Sequence, residues 1–276
     1  MKKVGLCLGG GGARGLCHIE FLKVLDELQI KPSIISGTSM GSIIGAMYAS
    51  GMSGTEIHKV VNKINFTDLL RMLDISILSR ASLIKGRGVE EFLEKHIKAK
   101  TFEELSIPLK IVATDFWRQK TIVFDSGDLI PAIRSSIAIP AIFEPVIMGD
   151  RVLIDGGSTI NLPFDLIRHD CNFLIAIDVS GSKTVPIDPV LPSWFENVMT
   201  TFEILQSQII EFQLKVYRPD ILVKPELKDI NILDFEKSGK IMKSVAEDVK
   251  QFRAELLEKL KSRKLPFLVG SSLANK

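Results

Sequence analysis

The chain has 276 residues, a formal net charge of +2, 46% hydrophobic residues and 25% charged residues. This composition is typical of a globular protein that buries a sizeable core. A charge so close to zero carries no basic footprint for nucleic acid, so we expect no nucleic-acid partner. Any contact with a membrane is therefore expected to be apolar or local.

The amino-terminal residues resemble a secretory signal without fitting one. Two lysines precede an apolar stretch over 4–8, but four glycines interrupt it, and it is too short for a signal peptide. No run approaches the roughly 18 apolar residues of a transmembrane helix. Cys7, Cys17 and Cys171 lack metal-ligand spacing and predict reduced thiols. We expect a cytoplasmic protein without metal or cofactor, and a peripheral contact with a membrane surface stays open.

The first third of the chain alternates apolar strands with helical patterns, which predicts a mainly parallel α/β sheet. A strand over 4–8 precedes a helix over 13–30, and a strand over 33–36 precedes a helix over 40–51. The segment 53–106 is mainly helical. Later strands are expected over 109–115, 121–125, 151–157 and 171–180, and the last is apolar enough to lie mid-sheet.

Two amphipathic helices, with a strand over 220–225 between them, are expected in the last third. The first carries an apolar stripe at Trp194, Val198, Phe202, Leu205, Ile209, Phe212 and Val216. The second, near 238–263, carries Ile241, Val245, Val249, Phe252, Leu256 and Leu260. Stripes at helical spacing usually face a core, so we expect both to be buried. No linker divides the chain, which predicts one domain over 1–276, with its motifs within 4–178 and a C-terminal helical part over 190–265.

Four consecutive glycines follow the first strand and allow two functional interpretations. Gly10, Gly12 and Gly15 fit G-x-G-x-x-G, a dinucleotide-binding pattern, but the acidic residue that should end the second strand is missing. Alternatively, Gly11 and Gly12 have no side chains and can turn their backbone N–H groups towards a developing oxyanion. A purely structural turn is the third possibility.

A serine between two glycines stands where the second strand meets the next helix. Gly37-x-Ser39-x-Gly41 is the nucleophile-elbow pattern, whose strained turn exposes a serine hydroxyl above a sheet. The competing interpretation makes Ser39 a helix N-cap, which explains the serine but not both glycines.

A nucleophilic serine needs a base, and Asp155 is the strongest candidate. It ends an apolar strand and precedes Gly156 and Gly157, which leave room for a close neighbour. Strand ends converge at one edge of a parallel sheet, so we expect Asp155 to meet Ser39 there. Apolar surroundings would raise the pKa of its carboxyl from about 3.9 towards that of a useful base.

Histidine is the alternative base. His169 follows Ser39 and Asp155 in the Ser…Asp…His order of α/β-hydrolases. His18 lies one turn past the glycines, where a packed and a reactive histidine are equally compatible with the sequence. The other two, His58 and His96, lie on helices beside lysines and are expected in solvent.

Together, the motifs at 10–15, 37–41 and 155–157 resemble those of the patatin-like phospholipases. The likeness runs from about Val4 to Asp178 and includes the Ser-Ile-x-Ile-Pro and Asn-x-Pro elements around the aspartate. It implies a three-layer α/β/α sandwich that hydrolyses acyl esters of lipids through a Ser–Asp dyad, without a catalytic histidine and without a metal.

Carried over residue by residue, the resemblance makes Ser39 the nucleophile, Asp155 the general base and the amides of Gly10, Gly11 and Gly12 the oxyanion hole. The residues that would support these motifs are Arg14, Gly15, Gly37, Gly41, Gly156 and Gly157. Arg14 is expected to act locally on the structure.

Several alternatives stay open at this point. The same fold serves soluble short-chain esterases, thioesterases and acyltransferases, and a nucleotide- or acyl-CoA-binding module would explain the glycines alone. Apolar segments at 75–84 and 137–147 line an acyl groove or touch lipid in one interpretation, and belong to the core or a covering loop in the other. The expected partner is a lipid or acyl-ester substrate. The sequence does not determine the oligomeric state.

Overall fold

The computed structural model describes residues 3–64 and 84–262. The strands are β1 Val4–Leu8, β2 Ile34–Thr38, β3 Leu109–Asp115, β4 Lys120–Phe124, β5 Val146–Met148, β6 Arg151–Asp155, β7 Phe173–Ile177 and β8 Ile221–Val223. The α-helices are α1 His18–Glu27, α2 Met40–Ala49, α3 Gly54–Asn62, α4 Arg87–His96, α5 Leu129–Ser136, α6 Trp194–Val216, α7 Ser238–Ser244 and α8 Ala246–Ser262. The predicted strands are therefore confirmed, with shifts of a few residues at their ends.

The helix predicted over 13–30 is wrong as a single α-helix. Its first part, Gly12–Cys17, is a 3-10 helix, and α1 begins only at His18. Gly12 has a positive φ of 56°, a backbone conformation that favours glycine and tightens the turn out of β1. The helical prediction for 66–73 and the apolar segment at 75–83 lie outside the described residues, as does the chain beyond 262.

The strands form one sheet in the order β5-β6-β3-β2-β1-β7-β8, with β4 pairing β3. The pairs among β1, β2, β3, β7 and β8 are parallel, whereas β4 and β6 run antiparallel to β3. Strand β7 lies between β1 and β8, so the interior position predicted for it is confirmed.

The pairing along β3 explains how two distant strand ends meet. Val112 pairs with Thr38 of β2, and the next residue, Ala113, pairs with Asp155 of β6. Because β4 pairs with both of these residues, it occupies the other side of β3. Strands β2 and β6 therefore lie end to end on one side of β3, with their carboxyl ends together. This corrects the expectation that Asp155 arrives on a parallel strand.

Helices cover both faces of the sheet, since successive side chains of each strand point to opposite sides. On β1, Leu6 and Leu8 join the larger core, which also contains residues of α1, α2, α3 and α8. Cys7 between them faces the second core, to which α6 contributes Ile210. The three-layer α/β/α arrangement implied by the resemblance is confirmed, and the three cysteines are buried and free.

The two C-terminal stripes have opposite outcomes. The stripe of α7 and α8 is confirmed as core, with only Val249 half-buried. The stripe of α6 was predicted to be buried, and this is wrong for most of it. The exposed fractions are 73% for Trp194, 48% for Val198, 58% for Leu205, 64% for Phe212 and 71% for Val216. Helix α6 packs instead through Met199 and Ile210, on another side of the helix.

Helix α6, at 23 residues, is the longest helix described. Neither it nor any other helix within 3–64 and 84–262 combines the length and the apolar character that crossing a membrane requires.

Candidate active site

Ser39 lies at the sharp turn between β2 and α2. Its φ of 52° and ψ of −123° are strained for a residue with a side chain. The flanking glycines are needed because the backbone packs too closely for larger residues. A Cβ on Gly37 would lie 2.5 Å from the Gly41 carbonyl oxygen, and one on Gly41 would lie 2.0 Å from that of Leu8. The local geometry is that of a nucleophile elbow rather than an ordinary helix cap.

Asp155 is buried at the end of β6. Its Oδ1 accepts a hydrogen bond from the Gly157 amide at 2.7 Å, whereas its buried Oδ2 has no hydrogen-bond partner among the described residues. Burial raises the pKa of Asp155 to about 6, and the nearby Ser39 hydroxyl and the Gly157 amide partly oppose this rise. Gly156 permits the close approach of this turn to β3, since a Cβ there would lie 2.3 Å from the Val112 carbonyl oxygen.

The segment that ends α5 holds both residues in place. The Ser39 amide donates to the Ser136 hydroxyl at 2.9 Å, and the Asp155 amide donates to the Ala138 carbonyl at 2.9 Å. One short segment thus ties together two residues 116 positions apart, as their numbers show. No local pattern predicted that Ser136 would bind the Ser39 amide, and its place in the Ser-Ile-x-Ile-Pro element was the one signal at this position.

The glycine loop requires a correction at Gly10. Its amide donates to the Asn161 carbonyl at 3.0 Å, and its carbonyl accepts from the Asn161 Nδ2 at 3.1 Å. The Gly10 amide is therefore committed and does not serve as an oxyanion donor. The amides of Gly11 and Gly12 donate to no acceptor among the residues described. Gly10 also packs closely against the serine, since a Cβ on it would lie 3.2 Å from the Ser39 Cβ.

Asn161 thus anchors the loop, and its removal gives a testable expectation. Replacing Asn161 by Ala is expected to lower the free energy of unfolding by about 1–3 kcal/mol, because the buried Gly10 carbonyl loses its side-chain partner. Urea unfolding of the two proteins measures this difference. The exposed substitution Asn197→Ala on α6 is the matched control, with a change within about 0.5 kcal/mol. Equal changes in both variants would contradict the anchoring role.

The dinucleotide interpretation of the glycines conflicts with the packing of the loop. The Ala13 amide, near the start of the 3-10 helix, donates to the Ile232 carbonyl at 2.8 Å. That same carbonyl oxygen lies 2.2 Å from the position of a Cβ on Gly12. Chain from the C-terminal third therefore covers the site where a pyrophosphate would bind.

Each of the four histidines is engaged or located away from Ser39 and Asp155. His18 is buried, its Nε2 lies 2.9 Å from the Gly9 carbonyl oxygen, and burial lowers its pKa to about 4. His58 pairs with Glu20, and His96 contacts the carbonyl of its own helix. His169 is exposed beside Asp170, which pairs with Lys110 near the start of β3. Ser39 and Asp155 lie farther along β3, where β2 and β6 have their carboxyl ends.

Arg14 connects the glycine loop to α6. Its guanidinium donates to the carbonyls of Gly11 and Ser180 and forms an ion pair with Glu203 of α6 at 2.5 Å. The side chain is almost fully buried. Gly15, one residue on, allows close packing against α2, since a Cβ there would lie 2.6 Å from the Met40 Cγ. Arg14 thus stabilises the loop locally, in agreement with the expectation.

Ser39 lies between two cavities of different character. The larger, of about 290 Å³, is almost entirely apolar and extends along α2 past Ile43 and Met47. Ile139 and Phe143 also line it, which places part of the 137–147 segment at the cavity wall. The smaller, of about 20 Å³, is lined by polar groups of the glycine loop, Asp155, Asn161, Glu203 and Gln206, and by apolar side chains that include Met199 and Phe202. Within 3–64 and 84–262, no three histidine, cysteine or acidic residues cluster as metal ligands do.

Comparison with known proteins assigns the family. The family model of the patatin-like phospholipases matches residues 6–167. An uncharacterised NTE family protein of Mycobacterium tuberculosis is 34% identical over 192 residues, covering 69% of this chain and 53% of that protein. The lysophospholipase NTE1 of Kluyveromyces lactis is 32% identical over 183 residues, covering 65% of this chain and 13% of that protein.

Comparison with solved structures supports the same fold. The crystal structure of VipD from Legionella pneumophila matches with a TM-score of 0.54 at 14% identity, covering 92% of this chain and 67% of that one. The chain spans about half the length of its mycobacterial relative and a much smaller part of the yeast protein. With the family model covering more than half of its length, the chain belongs to the patatin-like phospholipase family.

Proposed function

We propose that this protein is a serine acyl hydrolase that cleaves carboxylic esters of lipids, with Ser39 as the nucleophile and Asp155 as the general base. The observation that carries the proposal is the buried Asp155 Oδ2. It has no hydrogen-bond partner among the described residues, and the Ser39 hydroxyl is the neighbour that lowers the pKa of its carboxyl. A desolvated carboxylate beside a strained serine is a base placed to accept the serine proton.

In the acylation step, the Ser39 oxygen attacks the ester carbonyl while its proton passes to Asp155. The carbonyl oxygen becomes an oxyanion, and the amides of Gly11 and Gly12 supply hydrogen bonds to it. The amino-terminal end of α2, which begins at Met40, adds its positive dipole end. The C–O bond to the leaving alcohol then breaks, and the alcohol takes the proton from Asp155. An acyl-Ser39 ester remains.

The deacylation step needs a water molecule beside Asp155. The smaller cavity, of about 20 Å³, has room for one water and polar groups to bind it. Asp155 accepts a proton from that water as the hydroxide attacks the acyl carbonyl. The serine oxygen leaves, recovers the proton and releases the fatty acid. Gln206 lines this cavity from α6, and its Nε2 lies 2.2 Å from the position of a Cβ on Gly157.

The larger cavity supports an acyl chain as the group that is bound. It begins at Ser39 and is lined by apolar side chains of α2, α3 and α4. Because this apolar cavity reaches Ser39, it favours an acyl chain beside the nucleophile, and we infer a monoacyl or lysophospholipid substrate. The lysophospholipase name of the yeast relative agrees with that class. A soluble long-chain ester would fit the same cavity, because the cavity selects the acyl chain and not the head group.

The proposal is tested by fluorophosphonate labelling together with release of fatty acid from lysophosphatidylcholine. We expect one label, located at Ser39 by peptide mass spectrometry, and a rate of fatty acid release that the label reduces in proportion. Ser39→Thr is the matched variant, since it retains a hydroxyl but places a second substituent on Cβ in a strained turn. A label at another serine, with Ser39 free, would contradict the proposal.

The length of the acyl chain gives a second expectation. Met47 lies eight residues along the helix from Ser39, about 12 Å at 1.5 Å per residue, and lines the larger cavity. Met47→Phe is expected to lower the ratio of kcat/KM for palmitoyl over butyryl esters about tenfold, because the ring shortens the cavity. Met242→Phe, at a buried site away from this cavity, controls for overpacking of the core. An unchanged ratio would place the acyl chain elsewhere.

A further inference from the structure

The outer side of α6 presents apolar side chains that the rest of the described chain, 3–64 and 84–262, leaves uncovered. Its members, the outer stripe, are Trp194, Val198, Leu205, Phe212 and Val216. At about 100° per residue they fall within about 40° of the helix circumference. The segment before α6 carries four more exposed apolar side chains, Val185, Ile187, Val190 and Leu191. A surface of this size on a soluble protein usually marks a site of interaction.

The opposite side of the same helix borders the candidate site. Met199, Phe202, Glu203 and Gln206 of α6 line the smaller cavity together with Ser39 and Asp155. The buried ion pair between Glu203 and Arg14 fixes that side of the helix against the glycine loop. Helix α6 therefore separates the catalytic groups from whatever lies against the outer stripe.

We propose that the outer stripe docks the protein on a phospholipid surface. The inference rests on the proposed function, because the long-chain lipid esters that this function takes are concentrated in lipid aggregates. A helix that lies in an interface buries its apolar side about 5–10 Å into the boundary of head groups and acyl chains. In that orientation the lipid meets the protein at the helix that borders the catalytic cavity.

The residues at the two ends of α6 fit a lipid surface. Trp194 opens the helix, and tryptophan is favoured where water meets hydrocarbon. At the other end, the Lys215 ammonium lies 4.8 Å from the centre of the Phe212 ring, and Arg218 follows. Long cationic side chains keep their charge at the head groups while their stems cover apolar surface. The acidic groups of Glu196 and Glu203 are engaged, with Ser193 and Arg14 respectively.

A second copy of the chain fits the outer stripe less well. Packing two α6 helices along Val198, Leu205 and Phe212 with heptad spacing would also bury Thr201, Gln208 and Lys215, which flank the stripe. The apolar residues on the other flank, Phe202 and Ile209, are already half-buried within the monomer. At a lipid surface, polar side chains beside the stripe would lie among the head groups. Between two packed helices, the same side chains would be buried.

The two tryptophans allow a direct test, since Trp117 lies on the turn after β3 and Trp194 on the outer stripe. The probes are Ser39→Ala proteins with either Trp117→Phe or Trp194→Phe, so that binding is measured without turnover. Phosphatidylcholine vesicles with brominated acyl chains are expected to quench Trp194 and to shift its emission to shorter wavelength. No quenching of Trp194 at saturating lipid would overturn the proposal, whether or not the wild-type protein hydrolyses esters.

A pair of leucine variants provides the matched control. Leu205→Asp is expected to weaken sedimentation with these vesicles at least about tenfold, because a leucine that inserts into the lipid boundary is replaced by a charge. Leu257→Asp, at an exposed site on α8, is expected to bind as the parent protein does. Equal binding by all three proteins would overturn the proposal. So would analytical ultracentrifugation showing a dimer that only Leu205→Asp dissociates, since a second copy would then cover the stripe.

Discussion

Replacing Asp155 by Asn is expected to lower kcat for ester hydrolysis by about 10⁴-fold, and Ser39→Ala by at least as much. Asn keeps the size of the side chain and an acceptor for the Gly157 amide, which donates to Asp155 at 2.7 Å. It removes the carboxylate that accepts the serine proton. The measurement is single-turnover and steady-state hydrolysis of p-nitrophenyl esters from acetate to palmitate.

The double variant and a histidine variant make this expectation specific. Because Ser39 and Asp155 act in one step, Ser39→Ala/Asp155→Asn is expected to be no slower than the slower single variant. His169→Ala is the control, since this histidine is exposed beside Asp170 and is expected to leave the rate unchanged. Comparable loss in a folded His169→Ala protein would mean that a Ser–His–Asp triad operates instead. Full activity in Asp155→Asn would remove the dyad altogether.

The second large effect is the pH dependence of the rate. Burial raises the pKa of Asp155 from its ordinary value to about 6. A general base acts only when ionised, so we expect log kcat/KM to fall by about one unit per pH unit below pH 6. The rate at pH 4 is then about 100-fold below its plateau. An inflection that disappears in His169→Ala would assign the titration to histidine and contradict this expectation.

The stability of Asp155→Asn gives an independent readout of the pKa of Asp155. A carboxyl whose folded-state pKa is raised stabilises the fold below its unfolded pKa, and this contribution is lost as pH rises through about 6. Asp155→Asn is therefore expected to be more stable than the parent at pH 8 by about 2–3 kcal/mol. The difference should vanish near pH 4, where the parent carboxyl is protonated. Thermal unfolding at the two pH values measures it.

This opposition between stability and activity has a structural cause. Asp155 is held in a buried position by the hydrogen bond that its amide donates to the Ala138 carbonyl and by the close packing of Gly156 on β3. Ser39 is held in a strained conformation by the packing of Gly37 and Gly41. Such costs persist only where the surrounding structure enforces them, and they concentrate at functional sites.

Much of the fold was predictable because its signals are local. Continuous apolar runs identified the inner strands, and Gly37-x-Ser39-x-Gly41 identified the turn, since a Cβ on either glycine would lie 2.0–2.5 Å from a backbone carbonyl oxygen. The same reasoning identified Asp155 as a residue at a strand end followed by glycines. The alternation of strands and helices predicted the sheet and its covering layers.

Other features depended on contacts between residues far apart in the chain, which no local pattern encodes. Asp155 meets Ser39 because an antiparallel β6 abuts β2 along one side of β3. The Gly10 amide is unavailable as a donor to an oxyanion, because the carbonyl of Asn161, 151 residues later, accepts its hydrogen bond and fixes the loop.

The sequence by itself determined the inner strands and the serine turn, and it singled out the two residues that we propose as nucleophile and base, because each signal depends on backbone sterics or hydrophobic spacing within a few residues. Only the tertiary structure decided which side of α6 is buried. That helix is apolar over more than half of its circumference, so its hydrophobic spacing is compatible with several orientations. The ion pair between Arg14 and Glu203, together with the burial of Met199 and Ile210, selects the one that leaves the outer stripe in solvent.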